Sequence, residues 1–152
     1  MIEGVKVKIL TIHPSQDGDF REVFRSDEGL LDVIKQVSIS RGLPGIIKAF
    51  HFHKHQDDLF YVLDGNILLG LSDQRTESPT FRENQRLLLG ESYTPKIVLI
   101  PRGVFHGYRV LGDKPARVLY AMNNTYNQQN PDEGRVEFDD PKIGFDWNNI
   151  SE

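Results

Sequence analysis

Glycine and proline recur along the whole chain and leave only short stretches between them, which limits the length of any helix or strand. These residues are Pro14, Gly18, Gly29, Gly42, Pro44, Gly45, Gly65, Pro79, Gly90, Pro95, Pro101, Gly103, Gly112 and Pro115. Several of the stretches between them alternate apolar and polar residues, as half-buried strands do. Many short strands separated by turn signals are typical of an all-β sandwich or barrel.

Eight stretches are predicted to form strands. They are residues 5–12, 34–40, 45–53, 59–65, 66–72, 96–101, 106–111 and 116–122. The sequence LDGN at 63–66 separates two apolar stretches, a pattern that favours a β-hairpin. One short helix is expected at 26–34, where Ser26 could cap the N-terminus and Glu28 would lie in the first turn.

Length and composition favour one domain, formed by residues 1–152, that handles a small molecule in the cytoplasm. No apolar run approaches the roughly 20 residues that span a bilayer, and no signal-peptide pattern is present. The net charge of -4 gives no basic surface for nucleic acid. Without cysteine, a metal would need His, Asp or Glu ligands. The polar C-terminal segment is expected to pack over the barrel through Phe138, Phe145 and Trp147.

The sequence AFHFHKHQDD at 49–58 places His51, His53 and His55 at every second position, within and just beyond a predicted strand. Alternate side chains share one face of a strand, so these imidazoles are expected to point one way and Phe50 and Phe52 the other. If the phenylalanines lie between two sheets, the histidines face solvent. If the strand lines the mouth of a barrel, they face a cavity. Metal binding, acid–base chemistry and a solvated face all remain open for this segment alone.

A second motif, PRGVFH, ends at His106, and the spacing of the two motifs resembles that of the cupin superfamily. The matching residues are Gly45, His51, His53, Asp58 and Gly65 in the first motif and Pro101, Gly103 and His106 in the second. Asp58 stands where cupins usually place glutamate. The resemblance implies a double-stranded β-helix (jelly roll) with one or two short helices. Its cavity would hold His51, His53, Asp58 and His106, which could bind a divalent ion with positions open for substrate.

Longer segments narrow the resemblance, and they follow one another across nearly the whole chain. They are IIKAFHFHKHQDDLFYVLDG (46–65), SPTF (78–81), IPRGVFHGYRVL (100–111) and DDPKIGFDW (139–147). In this order they are similar to the dTDP-4-dehydrorhamnose 3,5-epimerase family, above all to its short members associated with spore-coat and surface polysaccharide synthesis. The resemblance implies a homodimer that acts without a cofactor on a dTDP-linked 4-keto-6-deoxy sugar.

The family's reaction implies roles for individual residues. The 4-keto group acidifies the protons at C3 and C5; a base removes one, and an acid on the opposite face returns a proton. His51 matches the family's base, and its imidazole titrates near the working pH. Tyr120 matches the opposing tyrosine, with Tyr126 as the fallback. His106 matches another active-site histidine.

Further residues are expected to bind the substrate. They are Lys48, His53, Arg75, Phe20, Glu22 and Tyr126. Lys48 and Arg75 are proposed to contact the nucleotide diphosphate, although Arg75 could equally be a solvated turn residue. Phe20 and Glu22 would reach the site of the partner subunit in the homodimer.

Two departures from the family leave alternatives open. Asp58 replaces a lysine that steadies the enolate in the long members, and a carboxylate beside a developing oxyanion raises the barrier. The aspartate that supports the base in their C-terminal segment has no counterpart before Glu152. Asp58 could hold His51 or His53 in the required tautomer, or it could bind a divalent metal with the three histidines. The alternatives are therefore a metal-dependent sugar isomerase or oxygenase, and a sugar-nucleotide-binding cupin without catalysis.

Overall fold

The computed structural model describes residues 1–152 and consists almost entirely of β-strands. The strands are β1 (Lys6–Ile9), β2 (His13–Ser15), β3 (Gly18–Phe20), β4 (Gln36–Gly42), β5 (Ile47–Phe52), β6 (Asp58–Asp64), β7 (Asn66–Asp73), β8 (Asn84–Gly90), β9 (Lys96–Ile100), β10 (Val104–Leu111), β11 (Ala116–Met122) and β12 (Gly134–Arg135). All eight predicted strands are present, with their ends shifted by a few residues. None of the structure's elements is a helix with the length and apolar character that crossing a membrane requires.

The strands form two five-stranded antiparallel sheets, with orders β1–β9–β6–β11–β4 and β12–β5–β10–β7–β8. Strands β2 and β3 form a separate hairpin. Neighbouring residues of a strand point to opposite faces, so Phe60 of β6 enters the main apolar core while Leu59 enters a second cluster. Likewise Leu69 of β7 enters the main core and Leu68 a third cluster. The main core lies between the sheets, and this arrangement confirms the predicted all-β jelly roll.

The C-terminal segment covers the outer face of the second sheet, as predicted. Phe145 and Trp147 pack against Phe50, with ring centroids 5.7 and 5.3 Å apart. Phe138 does not join them, because its side chain is 40% exposed. The prediction was wrong for this residue, whose backbone carbonyl instead accepts a hydrogen bond of 2.9 Å from the indole N–H of Trp147.

The predicted hairpin at 63–66 is wrong, since β6 and β7 belong to different sheets. Gly65 joins them at a corner and adopts a φ of 72°, a left-handed conformation that favours glycine. A Cβ at this position would lie 2.5 Å from the carbonyl oxygen of Pro115. The turn residues therefore carry the chain from one sheet to the other instead of reversing it within one sheet.

The predicted helix at 26–34 is also wrong. Only Ser26–Glu28 forms a single 3-10 turn, and Ser26 makes no capping hydrogen bond. Gly29 then adopts a left-handed conformation with φ 65°, which ends the turn. Beyond it, Leu31 is buried in the cluster on the outer face of the first sheet. Packing onto the sheet therefore takes the place of further helical turns.

Candidate active site

A cavity of about 330 Å³ opens between the two sheets and contains most of the predicted site residues. The first sheet lines it with Ser40, Asp58 and Tyr120, and the second sheet with Lys48 and His106 among others. Its volume lies at the low end of the range of about 300–1,000 Å³ that is usual for ligand sites. The cavity is therefore large enough for a sugar ring, with the rest of a larger ligand extending outward.

His51 of β5 and His53, directly after it, both face this cavity. His51 lies opposite His106 of β10 in the sheet, and both line the cavity. Phe50 points the other way and is buried under the C-terminal segment. His53 follows directly after β5 and also lines the cavity. Of the two orientations that strand alternation left open, the structure has the one in which the histidines face a cavity.

His51 is bound by a carboxylate that sequence reasoning missed. Its Nδ1 lies 2.6 Å from Oε1 of Glu133, and both side chains are largely buried. Burial lowers the pKa of His51, and this effect outweighs the opposing effect of Glu133. Asp58 was one predicted partner of His51, and that prediction was wrong, because the Asp58 carboxylate faces other histidines. Glu133 lies in a polar, turn-rich stretch of the sequence that carries no local sign of a role.

Asp58 lies between two imidazoles. Its Oδ2 is 3.2 Å from Nε2 of His53 and 3.4 Å from Nε2 of His106. Burial raises the pKa of Asp58, but His106 and His53 outweigh it and the net pKa is well below the usual range. For His53, burial lowers the pKa and Asp58 raises it, with a net increase. Asp58 therefore holds His53, which is the second of the two partners predicted for it.

The predicted four-residue metal set is only partly assembled. Donor atoms of His53, Asp58 and His106 all lie within 4.8 Å of one another. The Nδ1 atoms of both histidines face backbone carbonyls, those of Asp132 and Val104, which leaves their Nε2 atoms for an ion. Such outer hydrogen bonds are usual for metal-binding histidines. His51 does not join this group, because its ring nitrogens do not lie within 4.8 Å of all three of the other ligand atoms.

Tyr120 reaches the cavity from the opposite sheet. It lies on β11, and its ring meets the ring of Phe60 edge-on, with centroids 4.5 Å apart. Burial, and then the neighbouring Tyr108, raise the pKa of the Tyr120 phenol far above its usual value. The phenol therefore keeps its proton at neutral pH. Tyr126, the predicted fallback, lies at the cavity mouth and is 59% exposed.

Lys48 is the only lysine or arginine that lines the cavity. Its Nζ donates hydrogen bonds to Oγ of Ser40 at 3.0 Å and to the carbonyl of Arg41 at 2.9 Å. These contacts hold the ammonium group beside the cavity without a carboxylate partner. An anionic group of a ligand would therefore meet a single positive charge here.

Three predicted substrate-binding residues lie outside the cavity. The guanidinium of Arg75 is bound by Asp73, with contacts of 2.8 Å, and this ion pair corrects its predicted role at the diphosphate. Phe20 lies on the β2–β3 hairpin and is 63% exposed. Glu22 pairs with Arg25 at 3.3 Å. The predicted contribution of Phe20 and Glu22 depends on a second copy of the chain, so it stays a prediction.

Comparison with known proteins places this site in a family. Residues 1–152 match the family model described as dTDP-4-dehydrorhamnose 3,5-epimerase. The spore coat polysaccharide biosynthesis protein SpsL of Bacillus subtilis is 47% identical over 148 residues, which cover 97% of each chain. The probable low-salt glycan biosynthesis epimerase Agl13 of Haloferax volcanii is 35% identical over 149 residues, covering 97% of this chain and 95% of that protein.

Solved structures give the same result. A dTDP sugar isomerase from Desulfovibrio desulfuricans superposes with a TM-score of 0.88 at 29% identity, covering 96% of this chain and 92% of the other. A dTDP-6-deoxy-D-glucose-3,5-epimerase from Legionella pneumophila, solved with dTDP-4-keto-L-rhamnose, superposes with a TM-score of 0.86 at 27% identity. That match covers 97% of this chain and 80% of the other. Since the family model matches the whole chain and the relatives cover 97% of it, the chain belongs to the dTDP-4-dehydrorhamnose 3,5-epimerase family.

Proposed function

We propose that this protein inverts C3, C5 or both in a dTDP-linked 4-keto-6-deoxyhexose, as a step in the synthesis of polysaccharide precursors. The observation that carries this proposal is the placement of His51 and Tyr120 on opposite sheets, with both side chains lining one cavity. Inversion requires a proton to leave one face of a carbon and another to arrive at the opposite face. Two groups that approach from opposite walls can serve these two faces.

The reaction needs only proton transfers, because no step changes the oxidation state of the sugar. Nε2 of His51 accepts the proton from C3 or C5, and the C–H electron pair passes into an enolate conjugated with the C4 oxygen. The Tyr120 hydroxyl then donates its proton to the opposite face, and the enolate returns to the ketone. The resulting imidazolium and phenolate exchange protons with solvent to restore the starting state.

Lys48 is proposed to bind the diphosphate of the nucleotide. An ammonium group acts on phosphate as a point charge, and Lys48 is the one such charge in the cavity wall. The homodimer implied by the resemblance and the cytoplasmic location favoured by the composition stay predictions. Size-exclusion chromatography with light scattering tests the homodimer, for which a mass of twice 17.4 kDa is expected.

The experiment that tests the function is incubation with dTDP-4-keto-6-deoxyglucose in deuterated water. We expect deuterium at C3, C5 or both, detected by mass spectrometry and proton NMR, and no uptake above background with His51→Asn. Wild-type protein that produces no more exchange than this variant would remove the proposal for this substrate. Binding of the sugar nucleotide without exchange, across a panel of 4-keto sugars, would favour the non-catalytic cupin instead.

A metal-dependent sugar isomerase or oxygenase is the second candidate, favoured by the gathering of His53, Asp58 and His106. A divalent ion held there would act as a Lewis acid on a substrate oxygen. Elemental analysis and calorimetric titration with Zn²⁺ or Ni²⁺ test this independently of activity. About one ion per chain, lost in His106→Ala, would support the candidate. Far less than one ion per chain after reconstitution would eliminate it.

A further inference from the structure

The contact between His51 and Glu133 determines which nitrogen of His51 carries its proton. A carboxylate only accepts hydrogen bonds, so Nδ1 of His51, at 2.6 Å, must be the donor. In the neutral imidazole the lone pair then belongs to Nε2. The nitrogen that lies away from Glu133 is therefore the one that can accept a proton.

Glu133 is held in place by the pairing of two strands. Arg135 lies opposite His51, and Gly134 lies opposite Phe52. The ladder continues through reciprocal backbone hydrogen bonds of 2.7 and 3.0 Å between Phe50 and Val136. Gly134 packs so closely on the Phe52 ring that an added Cβ would lie 2.1 Å from it. Strand β12 therefore approaches the histidine strand more closely than a larger residue at 134 would allow.

The residue before Glu133 holds the second histidine. The carbonyl of Asp132 accepts a hydrogen bond from Nδ1 of His53. The Asp132 carboxylate accepts the backbone N–H groups of Lys54 and His55 at 2.9 and 2.8 Å. Two consecutive residues, Asp132 and Glu133, thus bind His53 and His51. Both also line the cavity, and they fix the direction of the two rings there.

We propose that Glu133 is the positioning residue for proton abstraction, which it serves by keeping His51 in the Nδ1–H tautomer with Nε2 directed at the substrate. This inference rests on the proposed function, in which His51 is the base. Glu133 itself acts through His51 and transfers no proton to the sugar. Arg135, 3.3 Å from Oε2 of Glu133, balances the charge of the carboxylate from the solvent side.

The first test measures catalysis in three variants. With Glu133→Ala we expect kcat for deuterium exchange to fall by about 100-fold or more, as for other carboxylates that orient a catalytic histidine, with KM little changed. Glu133→Gln keeps an acceptor oxygen and should recover part of the loss. Glu137→Ala, an exposed glutamate on the same segment, should match the wild type. Circular dichroism and thermal melting establish that each variant is folded.

The second test does not depend on activity. Nitrogen-15 NMR of the imidazole reports directly which ring nitrogen is protonated. We expect the Nδ1–H tautomer for His51 in the wild type and a shift toward the Nε2–H tautomer in Glu133→Ala. An unchanged tautomer, or an unchanged kcat in an active wild type, would overturn the inference. Failure of the wild type to exchange deuterium would instead remove the proposed function, and the NMR result would still decide the tautomer.

Discussion

At the end of β5, His51 and His53 illustrate how contacts with distant parts of the chain determine the chemistry of a residue. Alternation along β5 predicts that His51 and His53 share a face, and the structure has this arrangement. Their partners differ, however: His51 meets Glu133, whereas His53 lies between the Asp132 carbonyl and Asp58. Glu133 lies 82 positions further along the chain than His51, and Asp132 lies 79 positions further along than His53. Local patterns carry no information about such pairs.

Tyr120 is expected to return the proton, so Tyr120→Phe should separate the two halves of the reaction. We expect the rate of inversion to fall by about 10²–10⁴-fold, the usual contribution of a general acid. Folding should be preserved, since the edge-on contact with Phe60 involves only the ring. The measurement is inversion at C3 and C5 by NMR, with Tyr93→Phe, outside the cavity, as the control. A Tyr120→Phe enzyme that inverts at the wild-type rate would rule out this role.

Lys48 is expected to affect binding more than chemistry. Removing its charge in Lys48→Met should weaken dTDP binding by about 10–100-fold, the usual worth of a hydrogen bond to a charged group. KM should rise by a similar factor while kcat changes little. Calorimetry with dTDP measures the effect. The control is Lys35→Met, at an exposed position directly before β4. Equal dTDP affinity in Lys48→Met and wild type would contradict the assignment.

At the scale of elements, strands with β-branched residues were predictable, and the strands without them were not. Strand β8 was missed because its sequence, NQRLLLG, contains no β-branched or aromatic residue and does not alternate over its whole length. It is specified by pairing with β7, where Leu87 lies opposite Leu69. The error at 63–66 has a related cause. A turn signal reports that the chain bends, but the sheet that receives the next strand depends on the whole fold.

The corner at Gly65 gives a stability prediction with an internal control. Both Gly65 and Gly112 have a positive φ, at 72° and 76°, but only at Gly65 would a Cβ meet other atoms. Gly112→Ala should cost about 1–2 kcal/mol for the left-handed backbone alone. Gly65→Ala should cost more, since it adds a clash with Pro115. Urea unfolding of both variants measures the difference, and equal losses would argue against a steric role for the corner.

At the scale of the molecule, the buried carboxylate of Asp73 links stability to pH. Burial raises its pKa, but hydrogen bonds from Arg75, Ser78 and Thr80 outweigh this and lower it well below the usual value. A carboxyl group with a lowered pKa in the folded state stabilises that state above the unfolded pKa of about 3.9. This stabilisation is lost as the pH falls below that value.

Asp73→Asn should therefore be less stable than the wild type at pH 7, by about 3 kcal/mol as for a broken buried ion pair. It should also lose less stability than the wild type between pH 5 and pH 3. Urea unfolding across this range measures both effects. Asp113→Asn, at an exposed position, should parallel the wild type. Parallel curves for Asp73→Asn and wild type would exclude the linkage.

The overall fold was more predictable from the sequence than the contacts between side chains that lie far apart in it or near turns. Strand patterning and motif order predict the jelly roll and place His51, His106 and Tyr120 around a cavity. They do not predict that Arg75 is held by Asp73, because a guanidinium near a turn has the same sequence pattern whether it binds a ligand or a neighbouring carboxylate. They also do not predict Glu133, whose position depends on where the last strand joins the sheet.

The most direct test of the opposed pair is the origin of the hydrogen at the inverted carbon. A single turnover in deuterated water, with mass spectrometry and NMR of the product, measures it. Since His51 removes one proton and Tyr120 supplies another, we expect the inverted carbon to carry deuterium from solvent in nearly every product molecule. Retention of the substrate's own hydrogen at that carbon would mean that one group performs both steps, and would contradict a mechanism built on opposite walls of the cavity.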